Sequence, residues 1–116
     1  MTLVILVLAL LIAIVFVAIR SAEDDSNATP SERGERIFAG SCIACHHANL
    51  EKDVANGPPL TGTTYELLEM KLLSGKYPKG YTPKRNTHVM PLYPLTADRL
   101  RALYTYIHEL DTGKSN

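Results

Sequence analysis

No stretch of this 116-residue chain alternates polar and apolar residues for long enough to build a sheet, and no internal repeat or low-complexity segment is present. Neither a Ser-His-Asp set, nor a pair of catalytic carboxylates, nor a phosphate-cradling glycine loop stands out, so hydrolytic and nucleotide-dependent chemistry has no evident residues to work with. An excess of one charge sign is also missing: 12 basic and 12 acidic side chains give a formal net charge of zero, and no nucleic-acid partner is expected. Cysteine occurs only twice. With no second Cys-x-x-Cys and no paired histidine motif, a four-ligand zinc site has nothing to complete it.

The two cysteines that are there lie in Cys42-Ile43-Ala44-Cys45-His46, and Cys-x-x-Cys-His is the covalent attachment signature of a c-type haem. Each thiol can form a thioether to one vinyl group, and the spacer brings both sulfurs to one porphyrin edge. The adjacent histidine then supplies the proximal iron ligand. A thioredoxin-like redox pair is the competing reading, but the strand-then-helix pattern of a βαβ unit is missing around it. A disulfide across two residues would constrain almost no loop.

Charge is absent altogether from residues 2–19, which are nearly all aliphatic and are followed by Arg20 and the acidic Glu23-Asp24-Asp25. As a helix that segment would extend about 27 Å, enough to cross a hydrocarbon core. Residues 1–20 are therefore expected to be a transmembrane anchor. A cleavable signal peptide competes, although no Lys or Arg precedes the apolar run and no Ala-x-Ala-like site comes after it. Residues 21–29 read as a polar, acidic tether without apolar periodicity, reaching about 30 Å fully stretched. Residues 30–112 form the single domain, and 113–116 a tail.

Within that domain the pattern is all-α. Thr29-Pro30-Ser31-Glu32 is a capping box with proline at the first helical position, predicting a helix to about Ala39. Thr63-Thr64-Tyr65-Glu66 reads as a second capping box, opening a helix with Tyr65, Leu68 and Leu72 on one face and Gly75 at its end. Thr96 caps a third, with Asp98 near its positive end and Leu100, Leu103, Ile107 and Leu110 as a core stripe flanked by Tyr104 and Tyr106.

From residue 29 to residue 110 the order of these features resembles a class I cytochrome c. That family carries Gly-x-x-x-aromatic on its first helix, matched by Gly34 and Phe38, and meets it with the last helix, where Leu103 and Tyr106 correspond. The resemblance implies a small all-α fold around one covalent haem c and its iron. Gly57-Pro58-Pro59-Leu60 resembles the loop in which the first proline's carbonyl, here that of Pro58, accepts a hydrogen bond from the proximal histidine, with Leu60 against the porphyrin. Met90, before Pro91, matches the axial methionine. His88 and Met70 are the alternatives, as is an open site. Because haem is attached outside the cytoplasmic membrane in this family, the resemblance also implies a single-pass inner-membrane protein whose haem domain faces the periplasm or its equivalent. The positive-inside rule is silent or mildly contrary here, since no basic residue precedes the run and Arg20 follows it.

The expected activity is electron transfer by a membrane-anchored monohaem cytochrome, not an enzyme by itself, acting as a relay or as a subunit of a respiratory or photosynthetic complex. The alternatives are a haem subunit of a periplasmic oxidoreductase, such as a sulfur-compound oxidising enzyme, and a haem-based sensor. Lys71, Lys76, Lys79, Lys84 and Arg85 succeed one another with no acid between Met70 and Ala97. The family often rings its haem edge with lysines, which implies redox partners with an acidic docking surface. The competing reading is an ordinary solvated loop.

Overall fold

The apolar start of the chain is helical without interruption. In the computed structural model, which describes residues 1–113 and residues 22–25 by backbone alone, α1 runs Thr2–Asn27. Its Thr2–Ser21 portion has 20 residues, a mean hydropathy of 3.4 and no burial against the rest of the protein, the profile of a membrane span or a signal sequence. At its polar end the Arg20 guanidinium lies 4.9 Å from the centroid of the Phe16 ring. Ser21 Oγ donates to the Val17 carbonyl at 2.9 Å.

The unstructured tether expected over 21–29 does not form, because α1 continues to Asn27 and only Ala28 and Thr29 take extended backbone before the next helix. Once a helix is nucleated each further residue adds a hydrogen bond at little cost, and no glycine or proline interrupts until Pro30. The six residues beyond Ser21 therefore rise by about 9 Å as helix. Of the expected tail, residues 114–116 lie outside the described residues.

The second helix, α2, spans Pro30–Ile37 behind a complete capping box: Glu32 N–H donates to Thr29 Oγ1 at 3.2 Å, and Thr29 N–H donates to Glu32 Oε2 at 2.7 Å. The helix does not stop at Ala39 as expected. It passes into a π-helical turn over Phe38–Cys42, where Ile43 N–H reaches back to the Phe38 carbonyl at 3.0 Å. Helix α3 spans Tyr65–Ser74 and is capped by Thr64 rather than Thr63. Thr64 Oγ1 accepts from Leu67 N–H, while the Thr63 hydroxyl donates to the Leu60 carbonyl at 2.6 Å. Gly75, at φ 70°, closes α3 in the left-handed conformation that glycine adopts without strain. Helix α4 spans Ala97–Asp111 with Thr96 as its N-cap.

Among the described residues no strand forms, and the core is made by helix faces and two loop segments: Ile37, Phe38, Leu50, Leu68, Leu72, Leu95, Leu100, Leu103 and Ile107. Helix α4 is the hub. It crosses α2 at Gly34, where an added Cβ would lie 2.0 Å from the Ala102 carbonyl oxygen and 2.7 Å from Tyr106 Cβ. The backbones approach that closely only because position 34 has no side chain. One turn on, the rings of Phe38 and Tyr106 meet at 5.6 Å. On its other side α4 meets α3 through Tyr104, edge-on to Tyr65 at 5.6 Å. This frame fixes the exit of α2, which carries the cysteines.

Candidate haem site

The π-helical turn ends at Cys42, and the chain then folds sharply back: the Cys42 carbonyl accepts from Cys45 N–H at 3.1 Å and from His46 N–H at 2.8 Å. One tight turn thus holds Cys42, Cys45 and His46 together. Cys42 is half-buried and Cys45 exposed, and no disulfide joins them. Burial, and secondarily the neighbouring Cys45, pushes the Cys42 thiol up to about 11.

His46 is the buried polar residue of the core region, only 7% exposed. Its Nδ1 lies 3.1 Å from the Pro58 carbonyl oxygen. A carbonyl can only accept, so Nδ1 carries the proton and Nε2 keeps a lone pair. Burial lowers the imidazole's proton affinity, the bond to Pro58 raises it, and the positive charge of Arg85 lowers it again. The first and largest of these, burial, favours the neutral ring, the form that ligates a metal.

Gly57 makes this bond possible. A Cβ there would lie 2.3 Å from the Cys45 carbonyl oxygen and 2.8 Å from His46 Nδ1. The turn that brings it in is tied by reciprocal backbone bonds between Val54 and Gly57, both 3.2 Å, and Leu60 N–H donates to the Leu50 carbonyl at 2.8 Å at the base of the loop. Leu60 is half-buried against the core cluster.

Met90 sits in the segment between α3 and α4, 37% exposed. Downstream that segment is pinned: Tyr93 N–H donates to the Leu72 carbonyl at 2.9 Å, and the Tyr93 hydroxyl accepts from Ser41 Oγ at 2.7 Å, next to Cys42. Upstream, Lys84 Nζ donates to the carbonyls of Pro59 (2.9 Å) and Thr61 (2.7 Å), and Arg85 donates to the Ala55 carbonyl (2.9 Å), the Val54 carbonyl and the Asp53 carboxylate. His88 is exposed with no partner among the described residues, and Met70 is half-buried within α3.

The donor set fits a c-type haem: two thiols at the required spacing, and a neutral imidazole oriented by a backbone acceptor. Outside α1, the exposed large apolar side chains are Ile43, Leu73, Val89, Met90 and Leu92. They lie on the cysteine turn, at the end of α3 and in the Met90 segment.

The structure brings together Cys42, Cys45, His46 and Pro58, and sets Leu60 at the base of the same loop. Sequence reasoning missed Ala102 as the residue against Gly34, and the attachment of Lys84 and Arg85 to the loop. Of the five expected docking cations, Lys71 also turns inward, donating to the Gly75 carbonyl at 3.5 Å and lying 4.3 Å from the Tyr77 ring centroid. Lys76 and Lys79 remain exposed and have no partner among the described residues. No sequence signal distinguishes these uses of a basic side chain.

Comparison with curated proteins and with solved structures finds no match. Against protein families, residues 31–111 match the cytochrome c family model, from the first turn of α2 to the end of α4. With the attachment motif at the turn those helices position, the chain belongs to the cytochrome c family and is a c-type haem protein of electron transfer.

Proposed function

We propose that this cytochrome relays electrons at a membrane surface as an anchored monohaem protein, in which Cys42 and Cys45 would hold the haem through thioethers and His46 Nε2 and Met90 would ligate its iron. When bound, the haem iron supplies a one-electron couple. The chain's own residues then have separable tasks. Cys42 and Cys45 bind the group to a single turn. Pro58 holds the His46 ring in one plane and one tautomer, which makes Nε2 a better donor. Met90 offers a neutral, soft sulfur that suits either oxidation state, and Leu60 lends apolar surface. A site built this way carries an electron with little rearrangement and leaves no position for substrate.

The observation that carries this reading is the His46–Pro58 hydrogen bond beside the paired thiols. It is tested by replacing Met90 with Ala, which is expected to abolish the sulfur-to-iron charge-transfer band of the oxidised protein and to lower its reduction potential while haem stays attached. Persistence of the band would move the ligand to Met70. Replacing Cys42, Cys45 or His46 is expected to impair attachment or ligation, and a mature chain with free thiols and no covalent haem would overturn the assignment.

Membrane anchoring rests on the length and apolarity of the Thr2–Ser21 helix. With the N-terminus inside, the haem domain faces the periplasm or its equivalent. The exposed Lys76 and Lys79 favour an acidic redox partner, either a separate protein or a neighbouring subunit of a membrane complex.

A further inference from the structure

We infer that Lys84 and Arg85 form a two-cation clamp that couples the two sides of the haem site, so that the loop orienting His46 and the segment delivering Met90 behave as one unit. The inference deepens the proposed ligation and rests on it.

Two adjacent side chains make five hydrogen bonds to one irregular loop. Arg85 reaches Asp53, Val54 and Ala55, and Lys84 reaches Pro59 and Thr61. These acceptors bracket Gly57 and Pro58 on both sides. Four of them are backbone carbonyls in an irregular stretch, three in solvent-exposed bonds and one, that of Val54, half-buried and shared with Gly57 N–H. A guanidinium can serve several acceptors in a fixed fork, and bonds from a charged donor are stronger than neutral ones. Arg85 also makes an ion pair with Asp53, whose side chain is largely solvent-exposed, so the pair by itself adds little.

The same two residues fix the upstream end of the Met90 segment. Its downstream end is held by Tyr93 on Leu72 and Ser41. Residues 86–92 are thus a short span between two pinned points, and freeing one of them multiplies the positions open to Met90. On the other side, Pro58 O is 3.1 Å from His46 Nδ1. Arg85 is therefore a positioning residue for both ligands although it is proposed to touch neither.

The test uses the haem-loaded protein and two readouts: the denaturant concentration at which the oxidised form loses its sulfur-to-iron charge-transfer band, and the exchange rate of the His46 Nδ1 proton in the reduced form. Arg85→Met is expected to lower the first and to raise the second by about ten-fold or more, the scale of losing hydrogen bonds to a charged group. Arg85→Lys keeps the charge without the fork and is expected to recover little of either. Lys76→Met and Lys79→Met, on exposed cations away from the loop, are expected to move neither. A change in only one readout, or in none, would overturn the coupling, as would full recovery by Arg85→Lys, which would reduce the effect to charge alone. If Arg85→Met fails to mature, Lys84→Met, which removes only the Pro59 and Thr61 bonds, is judged by the same two readouts. Met90→Ala separates the two failures: a band that survives it refutes the ligand assignment and the coupling with it, whereas a band it abolishes leaves the Arg85 variants to decide the clamp alone.

Discussion

At position 57 the site admits nothing larger than hydrogen. A methyl group there would collide with the Cys45 carbonyl, which is backbone and cannot swing aside, and with the His46 ring. Gly57→Ala is therefore expected to displace the loop and lengthen the His46–Pro58 bond, at a cost of about 1–3 kcal/mol. Its signature would be a lower melting temperature together with less covalent haem per chain, read by absorbance against protein mass. The two thiols differ at the same scale. Cys45 is exposed, whereas Cys42 is half-buried with its thiol pushed up to about 11. In chain matured without haem, alkylation followed by mass spectrometry is expected to find Cys45 modified well before Cys42, because the thiolate is the reactive form and access is required.

Helix ends and crossings set the next scale. Gly34→Ala is expected to cost about 3 kcal/mol or more, since the atoms in the way at 2.0 and 2.6 Å belong to the Ala102 backbone and α2 and α4 can only separate. Thermal unfolding would show it as a fall of more than about 10 °C. The capping box makes the stability of α2 depend on pH. Glu32 is held below its ordinary value of 4.5, first by the backbone N–H of Thr29, then by the Thr29 side chain, with a smaller contribution from Arg36 against a desolvation that opposes it. A depressed folded-state value means that the contribution is fully present above the unfolded value and is lost as pH falls through the folded one. In Glu32→Gln that pH-dependent part is missing. The gap in melting temperature between wild type and variant should therefore be widest near neutrality and narrow as pH falls below about 4.5, and a constant gap would exclude the carboxylate as its source.

The whole molecule measures 68 × 31 × 25 Å, with a radius of gyration of 18.8 Å where a compact chain of this length would have about 13 Å. The excess length comes from α1. If that helix is retained, the protein should sediment with membranes at high salt and be released by detergent, because burial of aliphatic side chains is not screened by ions. Recovery of a soluble cytochrome lacking residues 2–19 after osmotic shock would make it a freely diffusing carrier instead. Because α1 stays helical to Asn27, an anchored domain is held closer to the span than an extended tether of the same residues would allow. Partners at the membrane surface then meet it at a raised effective concentration. Cutting the link should slow electron delivery to such a partner more than it shifts the haem's own potential.

Contacts within a few residues were legible in the chain itself: the Cys42-to-His46 spacing, the Thr29 capping box, the Gly75 terminator and the uninterrupted apolar helix are all written as local pattern, because their physics acts within a turn or two. Where local signals competed, the sequence misled by small amounts. Two threonines stood before α3 and Thr64 took the cap, the hydroxyl of Thr63 having found the Leu60 carbonyl. The acidic link lacked any apolar stripe, yet it continued a helix already nucleated. Only the tertiary structure decided that Gly34 meets Ala102, that Gly57 must be bare to let His46 reach Pro58, and that Lys84 and Arg85 bond to a loop 23 to 32 residues away. A lysine or arginine has the same sequence signature whether its head meets water, a carbonyl or another protein. What it meets is set by chain segments brought together by the core, and no local pattern records that.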